Sequence, residues 1–308
     1  MDQWLGFGLA PCPLNQTRRP TCHSRVHVTS IEKSKTFSSV RICRLHKPIQ
    51  PRKNTASSQK PTLYHTPKMS APTSQCALSS ATISPSVLAL QPSYRALLIT
   101  IDNFTPGPSD TQSEALLCEA ETTARELLSK TPVNDLPHIA AWRAAYKSFN
   151  AKPNKTRNSL EALTRRVETP GGLPRVNRLT DVYNAISVKH QIPIGGEDLD
   201  KYSGAPRLIR ASGEEGFETS VKGERVVEGV DVGEVVWCDD EGVTCRRWNW
   251  RQGPRTALEE GTGRVLFILD ALDPVTDGEV EAAGEELVNV LEGMEEGIVV
   301  GKRMVGRV

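Results

Sequence analysis

The run Cys245-Arg-Arg-Trp-Asn-Trp-Arg-Gln252 puts three arginines and two tryptophans into eight residues. Guanidinium forks hold phosphates, carboxylates and developing oxyanions, and indole rings need an apolar surface to bury. Turn formers flank the run, Asp239-Asp-Glu-Gly242 before it and Gly253-Pro254 after it. The spacing therefore predicts a strand from Val243 to Arg251. Arg247, Asn249 and Arg251 would share one face, with Trp248, Trp250 and Arg246 on the other. The alternative is an ordinary sheet strand whose arginines are solvated or paired with local acids. Further along the list of groups that can do chemistry, Asp181 and Asn184 stand at i,i+3 on a predicted helix. They either line a pocket or hydrogen-bond an adjacent loop. Gly195 and Gly196 either let a ligand approach the backbone or supply a turn with positive φ.

Several chemistries have no support. There is no phosphate loop, no dinucleotide fingerprint, and no persuasive Ser-His-Asp or Cys-His order. The seven cysteines include no C-x-x-C pair, and only His138 and His190 lie beyond residue 68. No metal and no cofactor is expected. Cys238 and Cys245 fall in predicted strands and read as buried free thiols, which suits a reducing compartment.

Charge is unevenly spread. The formal net charge of +1 averages two unlike parts. Residues 1–68 hold twelve Lys or Arg against two acids, leaving 26 basic against 35 acidic residues in the remainder. Within that acidic remainder, Arg143 to Arg178 is a basic stretch. It carries Arg143, Lys147, Lys152, Lys155, Arg157, Arg165, Arg166, Arg175 and Arg178 against Glu161 and Glu168. Such a stretch can track a phosphate backbone, or it can be a set of solvated helix faces.

The elements that would position these groups follow from periodicity. Residues 1–85 read as a disordered basic extension and 86–308 as one globular domain. Residues 1–68 are either a transit segment or an upstream stretch before a start at Met69. Helices are expected over Gln112–Lys130, Leu136–Phe149, Asn158–Glu168, Asn177–Gln191 and Asp277–Met294. Strands are expected over Ala96–Ile101, Pro206–Ala211, Thr219–Val221, Glu234–Cys238, Val243–Arg251 and Val265–Leu269. Pro193–Gly196 reads as a turn. Helices, then strands, then a closing helix give an α+β class. No window is apolar enough for a membrane span, so no membrane partner is expected.

Six stretches, in order, resemble one family: Trp142-Arg-x-x-Tyr-x-x-Phe149, Ser159–Arg166, Asp181–Ser187, Ile192–Asp200, Gly233–Trp237 and Cys245–Gln252. Together they are similar to a stand-alone B3/B4 domain, the module of the phenylalanyl-tRNA synthetase beta subunit that carries its editing pocket. The resemblance implies a β-sandwich-like core of short strands flanked by helices. It implies tRNA or other RNA as a partner, with a small amino-acid-like ligand, and no ligase activity. The activity implied is deacylation of a charged tRNA, the alternative being a non-catalytic RNA- or amino-acid-binding module. The pocket candidates on this reading are Asp181, Asn184, Gly195, Gly196, Glu197, Arg247, Asn249, Arg251 and Gln252. The RNA-backbone candidates are Lys147, Lys152, Lys155, Arg157, Arg165, Arg166, Arg175 and Arg178. Two positions depart from the family: its histidine falls on Gly195 and its pocket glutamate on Gln252. Glu197 is either the replacement for the missing group or a surface turn acid. The expected location is the cytoplasm, or the mitochondrion if residues 1–68 are a transit segment.

Overall fold

The computed structural model describes residues 71–307 apart from Lys222, so the basic extension up to residue 70 lies outside the described residues. The folded body starts before the expected boundary at Ser86. Helix α1 (Ser74–Ser80) is capped by the Thr73 hydroxyl and buries Ala77 and Leu78. Strand β1 (Thr82–Ile83) and helix α2 (Pro85–Leu90) follow. These elements are too short to leave a periodic signature.

The remaining elements are β2 (Arg95–Asp102), α3 (Thr111–Leu128), α4 (Pro137–Ser148), α5 (Ser159–Arg166), α6 (Arg178–His190) and β3 (Ile194–Asp198). They continue with β4 (Arg207–Arg210), β5 (Gly216–Val221), β6 (Glu224–Gly229), β7 (Val235–Cys238), β8 (Val243–Arg246) and β9 (Arg251–Gln252). The chain closes with β10 (Arg264–Ala271), α7 (Asp277–Met294) and β11 (Val299–Gly306). Asn158 and Asn177 cap α5 and α6, each accepting a backbone N–H at 2.8 Å. The expected α+β class holds.

The strands form two sheets. The larger runs β1-β4-β7-β8-β5-β6 with β9 attached to β8; the smaller runs β11-β2-β10-β3. The two central strands of the smaller sheet, β2 and β10, are buried on both faces, which is why they read as continuous apolar runs. Ala96, Leu98, Leu266 and Ile268 point into a core shared with Leu208, Val235 and Trp237 of the larger sheet and with Trp142 and Tyr146 of α4. Leu97, Ile99, Val265, Phe267 and Leu269 point the other way, onto α6 and α7. The core between the sheets matches the β-sandwich-like expectation.

Two expected elements are corrected. Pro193–Gly196 is not a turn: Gly195 and Gly196 sit inside β3, and neither has a positive φ. The Val243–Arg251 strand is broken in two. It is a hairpin, with Cys245 paired to Gln252 and Arg246 to Arg251. Arg247 and Trp248 form its bend with φ of 47° and 68°. A bulky residue there is an outlier sustained only by its surroundings.

Candidate functional site

Two features hold the strained bend. Trp248 is fully buried, its ring 4.9 Å from Tyr94 and 5.4 Å from Trp142. Glu234, also buried, accepts from Arg246 Nε and Nη2 at 2.9 and 2.8 Å and from the Arg247 backbone N–H at 3.1 Å. The side chains of the run therefore do not alternate between two faces. Arg247 turns outward over the Trp250 ring, 4.6 Å from its centre, and pairs with Asp231 at 3.3 Å. Asn249 turns inward. Arg251 donates to the Thr219 hydroxyl and lies over Phe217.

Asn249 enters a buried network. Its carbonyl accepts from Tyr146 Oη at 2.9 Å, and its amide donates to Asp270 Oδ2 at 3.2 Å. Tyr94 Oη donates to the other oxygen of Asp270 at 2.6 Å. Burial pushes the Asp270 carboxyl up to about 7, against these two donors, and the neighbouring Glu197 adds to the rise. Sequence reasoning missed Asp270. It continues the inward alternation of Leu266 and Ile268, so an acid at that phase was the available signal.

Glu197 is not a surface turn acid. It stands on β3, 2% exposed, and accepts a hydrogen bond from Tyr202 Oη. Burial outweighs that bond and pushes its carboxyl up to about 7. Gly195 and Glu197 share one face of β3. A Cβ on Gly196 would meet Tyr183, Leu258 and Phe267 at 3.0–3.1 Å, whereas one on Gly195 would meet nothing within 4 Å. The face that carries Glu197 thus has open space beside it at Gly195, which is partly exposed. Gln252 closes the edge of β3, its amide donating to the Gly196 carbonyl at 2.8 Å and the Thr256 carbonyl at 3.2 Å. Gly195, Gly196, Glu197 and Gln252 are brought together, and Asn249 approaches the same inner layer through Asp270.

Asp181 and Asn184 are not part of that group. They ride on α6, which packs on the opposite face of the small sheet. Asp181 is buried and accepts from the Ser109 hydroxyl and from the Val176 N–H at 2.8 Å. It anchors the adjacent loop, and burial raises its carboxyl. Asn184 is 7% exposed and makes no side-chain hydrogen bond among the described residues.

The basic stretch divides as well. Arg143 and Arg165 donate to the buried Glu161 at 2.8–3.0 Å, with Arg157 at 3.7 Å. Arg175 is taken by Glu114 at 2.7 Å and Glu121 at 2.6 Å. Arg178 binds the Thr105 carbonyl, stacks 5.2 Å from the Phe104 ring centre and lies 3.8 Å from Asp110. These five arginines are engaged by groups of the protein itself, although Arg157 is exposed. Lys147, Lys152, Lys155 and Arg166 make no ion pair among the described residues.

Among the described residues no cluster of His, Cys, Asp or Glu is arranged to hold a metal, and no helix is long and apolar enough to cross a membrane. The family model of the B3/4 domain matches residues 141–287. No curated protein matches the sequence. Among solved structures, an N-terminal fragment of the phenylalanyl-tRNA synthetase beta-subunit from Pyrococcus horikoshii is similar at 11% identity and a TM-score of 0.37. The match covers 76% of this chain and 57% of that fragment.

Proposed function

We propose, for a chain whose residues 141–287 form a B3/4 domain, that it binds the aminoacylated 3′ end of a tRNA and hydrolyses the ester. The amino acid would lie over Gly195. One observation carries this reading: the open space at Gly195 stands on the same strand face as Glu197, whose carboxyl is pushed up to about 7. A general base serves best when its pKa lies near the working pH. Glu197 would then take the role of the titratable groups that the resemblance leads one to expect at Gly195 and Gln252.

In this mechanism the ionised Glu197 removes a proton from water as the water oxygen forms a bond to the ester carbonyl carbon. The tetrahedral intermediate collapses by breaking the bond to the ribose oxygen. The proton held by Glu197 passes to that oxygen, so the products are a free amino acid and a tRNA with an intact terminal hydroxyl. Gln252 acts as a positioning residue, fixing the β3 edge through the Gly196 carbonyl. Tyr202 orients the Glu197 carboxyl.

The test is deacylation of a panel of correctly and incorrectly charged tRNAs, beginning with tyrosine on the phenylalanine tRNA. Glu197→Gln is expected to lower the rate by roughly 10²–10⁴-fold with tRNA affinity preserved. Deacylation that survives this substitution would remove Glu197 from the mechanism.

A second reading, a binding module without turnover, has its own support. The Gln252 amide is committed to two carbonyls, and Gly195 brings no titratable group to the site. Under it, charged tRNA is retained by the protein and no amino acid is released.

A further inference from the structure

A cleft of about 520 Å³ opens on the outer side of the hairpin bend. One wall is the loop joining α4 to α5, with Lys152, Lys155 and Thr156; the other carries Asp231, Glu234 and Arg247. The lysine wall is pre-shaped. Asn150 takes a left-handed φ of 65°, Pro153 is buried, and the Lys155 and Thr156 N–H groups both donate to the Lys152 carbonyl, at 2.8 and 2.9 Å. The opposite wall is fixed too, because Arg247 belongs to the strained bend and stacks on Trp250.

The charge balance of this cleft is positive. Arg246 occupies both oxygens of Glu234 from behind, at 2.9 and 2.8 Å. Lys152 and Lys155 are exposed and have no ion pair among the described residues. Arg247 Nε also lies 3.6 Å from Glu234 Oε2, so two lining carboxylates, Glu234 and the 78% exposed Asp231, stand against Arg246, Arg247, Lys152 and Lys155. Phe149 and Val232 add apolar surface to the same walls, and the volume lies in the range of small-ligand sites. Two point charges and one planar fork converging on a partly apolar cleft suit a phosphate attached to a sugar better than a lone carboxylate.

We propose that this cleft is a phosphate-binding site that takes the phosphate group of a nucleotide unit. An RNA strand and a free nucleotide both carry that group. The inference rests on the preceding reading only for the source of the phosphate, not for its chemistry.

The experiment titrates the full 308-residue chain with three probes: a labelled single-stranded RNA octamer ending in CCA, adenosine 5′-monophosphate, and inorganic phosphate. Each is repeated on the double variant Lys152→Ala/Lys155→Ala, on Arg247→Ala, and on Lys130→Ala, an exposed lysine just past α3 that does not line the cleft. Both cleft lysines are exposed, so the double variant keeps its fold. The expected result is a loss of RNA affinity of tenfold or more in the double variant. Its salt-dependence slope should fall by about 0.7, the value for one single-strand phosphate contact. Lys130→Ala should stay within twofold of the unaltered chain. Tight adenosine monophosphate binding lost in the same variants would uphold the site and make a free nucleotide its source. Equal weakening by Lys130→Ala, or no probe responding to the double variant, would overturn it. Deacylation is measured in parallel: lysine-dependent RNA binding without any ester hydrolysis would sink the catalytic reading and leave the phosphate site standing.

Discussion

Glu161 and Glu234 are buried carboxylates ringed by arginines, whereas Glu197 and Asp270 are buried carboxyls each held by a tyrosine. The first pair lies in the outer layer, at α5 and behind the hairpin bend. The second lies on the small sheet, beside the core between the sheets. An arginine ring neutralises a carboxylate where it stands and turns it into a fastener for backbone: Glu234 holds the bend at Arg247, and Glu161 sits on the capped start of α5. A tyrosine offers one hydrogen bond and no charge, so burial governs and the proton stays on to about pH 7. Fastening and proton exchange are thus assigned to different acids by the kind of neighbour each has.

The comparison breaks most visibly at Glu234. Glu234→Gln strips the buried Arg246 of its close counter-ion, leaving only Glu228 at 3.5 Å, and weakens the hold on the Arg247 N–H. Removing one partner of a buried ion pair costs about 3–5 kcal/mol, and we expect a loss of that size in the urea unfolding midpoint converted to free energy. A loss below ~1 kcal/mol would mean that Trp248 packing alone holds the bend.

The tyrosine-held pair is sharpened by pH. Unfolded carboxyls titrate near 4, whereas Glu197 and Asp270 keep their protons to about 7 in the fold. Between those values the folded chain binds more protons than the unfolded one, so stability falls as pH rises from about 4 to about 7. For each residue the swing is on the order of 2–4 kcal/mol. Urea unfolding across that range should show the decline, and Asp270→Asn should flatten it. An unchanged slope in the variant would remove Asp270 from the set of titrating groups.

Much of the scaffold was legible from residue order. Helix α7 runs from Asp277 to Met294 as its periodicity requires, and Asn158 caps α5 with Glu161 three residues on. The site was less legible, for reasons that are physical. A strand and a hairpin share the same composition, and nothing local announces that Arg247 and Trp248 will take positive φ. That conformation exists because Trp248 finds a cavity among Tyr94 and Trp142, residues about a hundred or more positions away. The free and spent cations of the basic stretch were indistinguishable for the same reason. Arg175 finds its acids on α3, more than fifty residues earlier, while Lys152 and Lys155 find none. Gly195 and Gly196 looked alike as a turn, and only strand pairing gives them opposite faces.

That last difference supplies the smallest and most discriminating prediction. Gly196→Ala drives a Cβ to 3.0–3.1 Å from Tyr183, Leu258 and Phe267, so the α6 side of the sheet must give way. Overpacking of this kind costs roughly 1–3 kcal/mol. Gly195→Ala meets nothing within 4 Å on extended backbone, and is expected to be neutral or to stabilise by ~0.4–1 kcal/mol through the unfolded chain. Thermal unfolding of the two single variants reads the contrast directly. Gly195→Val then separates structure from function. The chain should still fold, because the open space accepts the side chain, while ester hydrolysis should be lost because that same space is where the amino acid is proposed to lie. A Gly195→Val chain that folds and still deacylates would move the aminoacyl end away from β3.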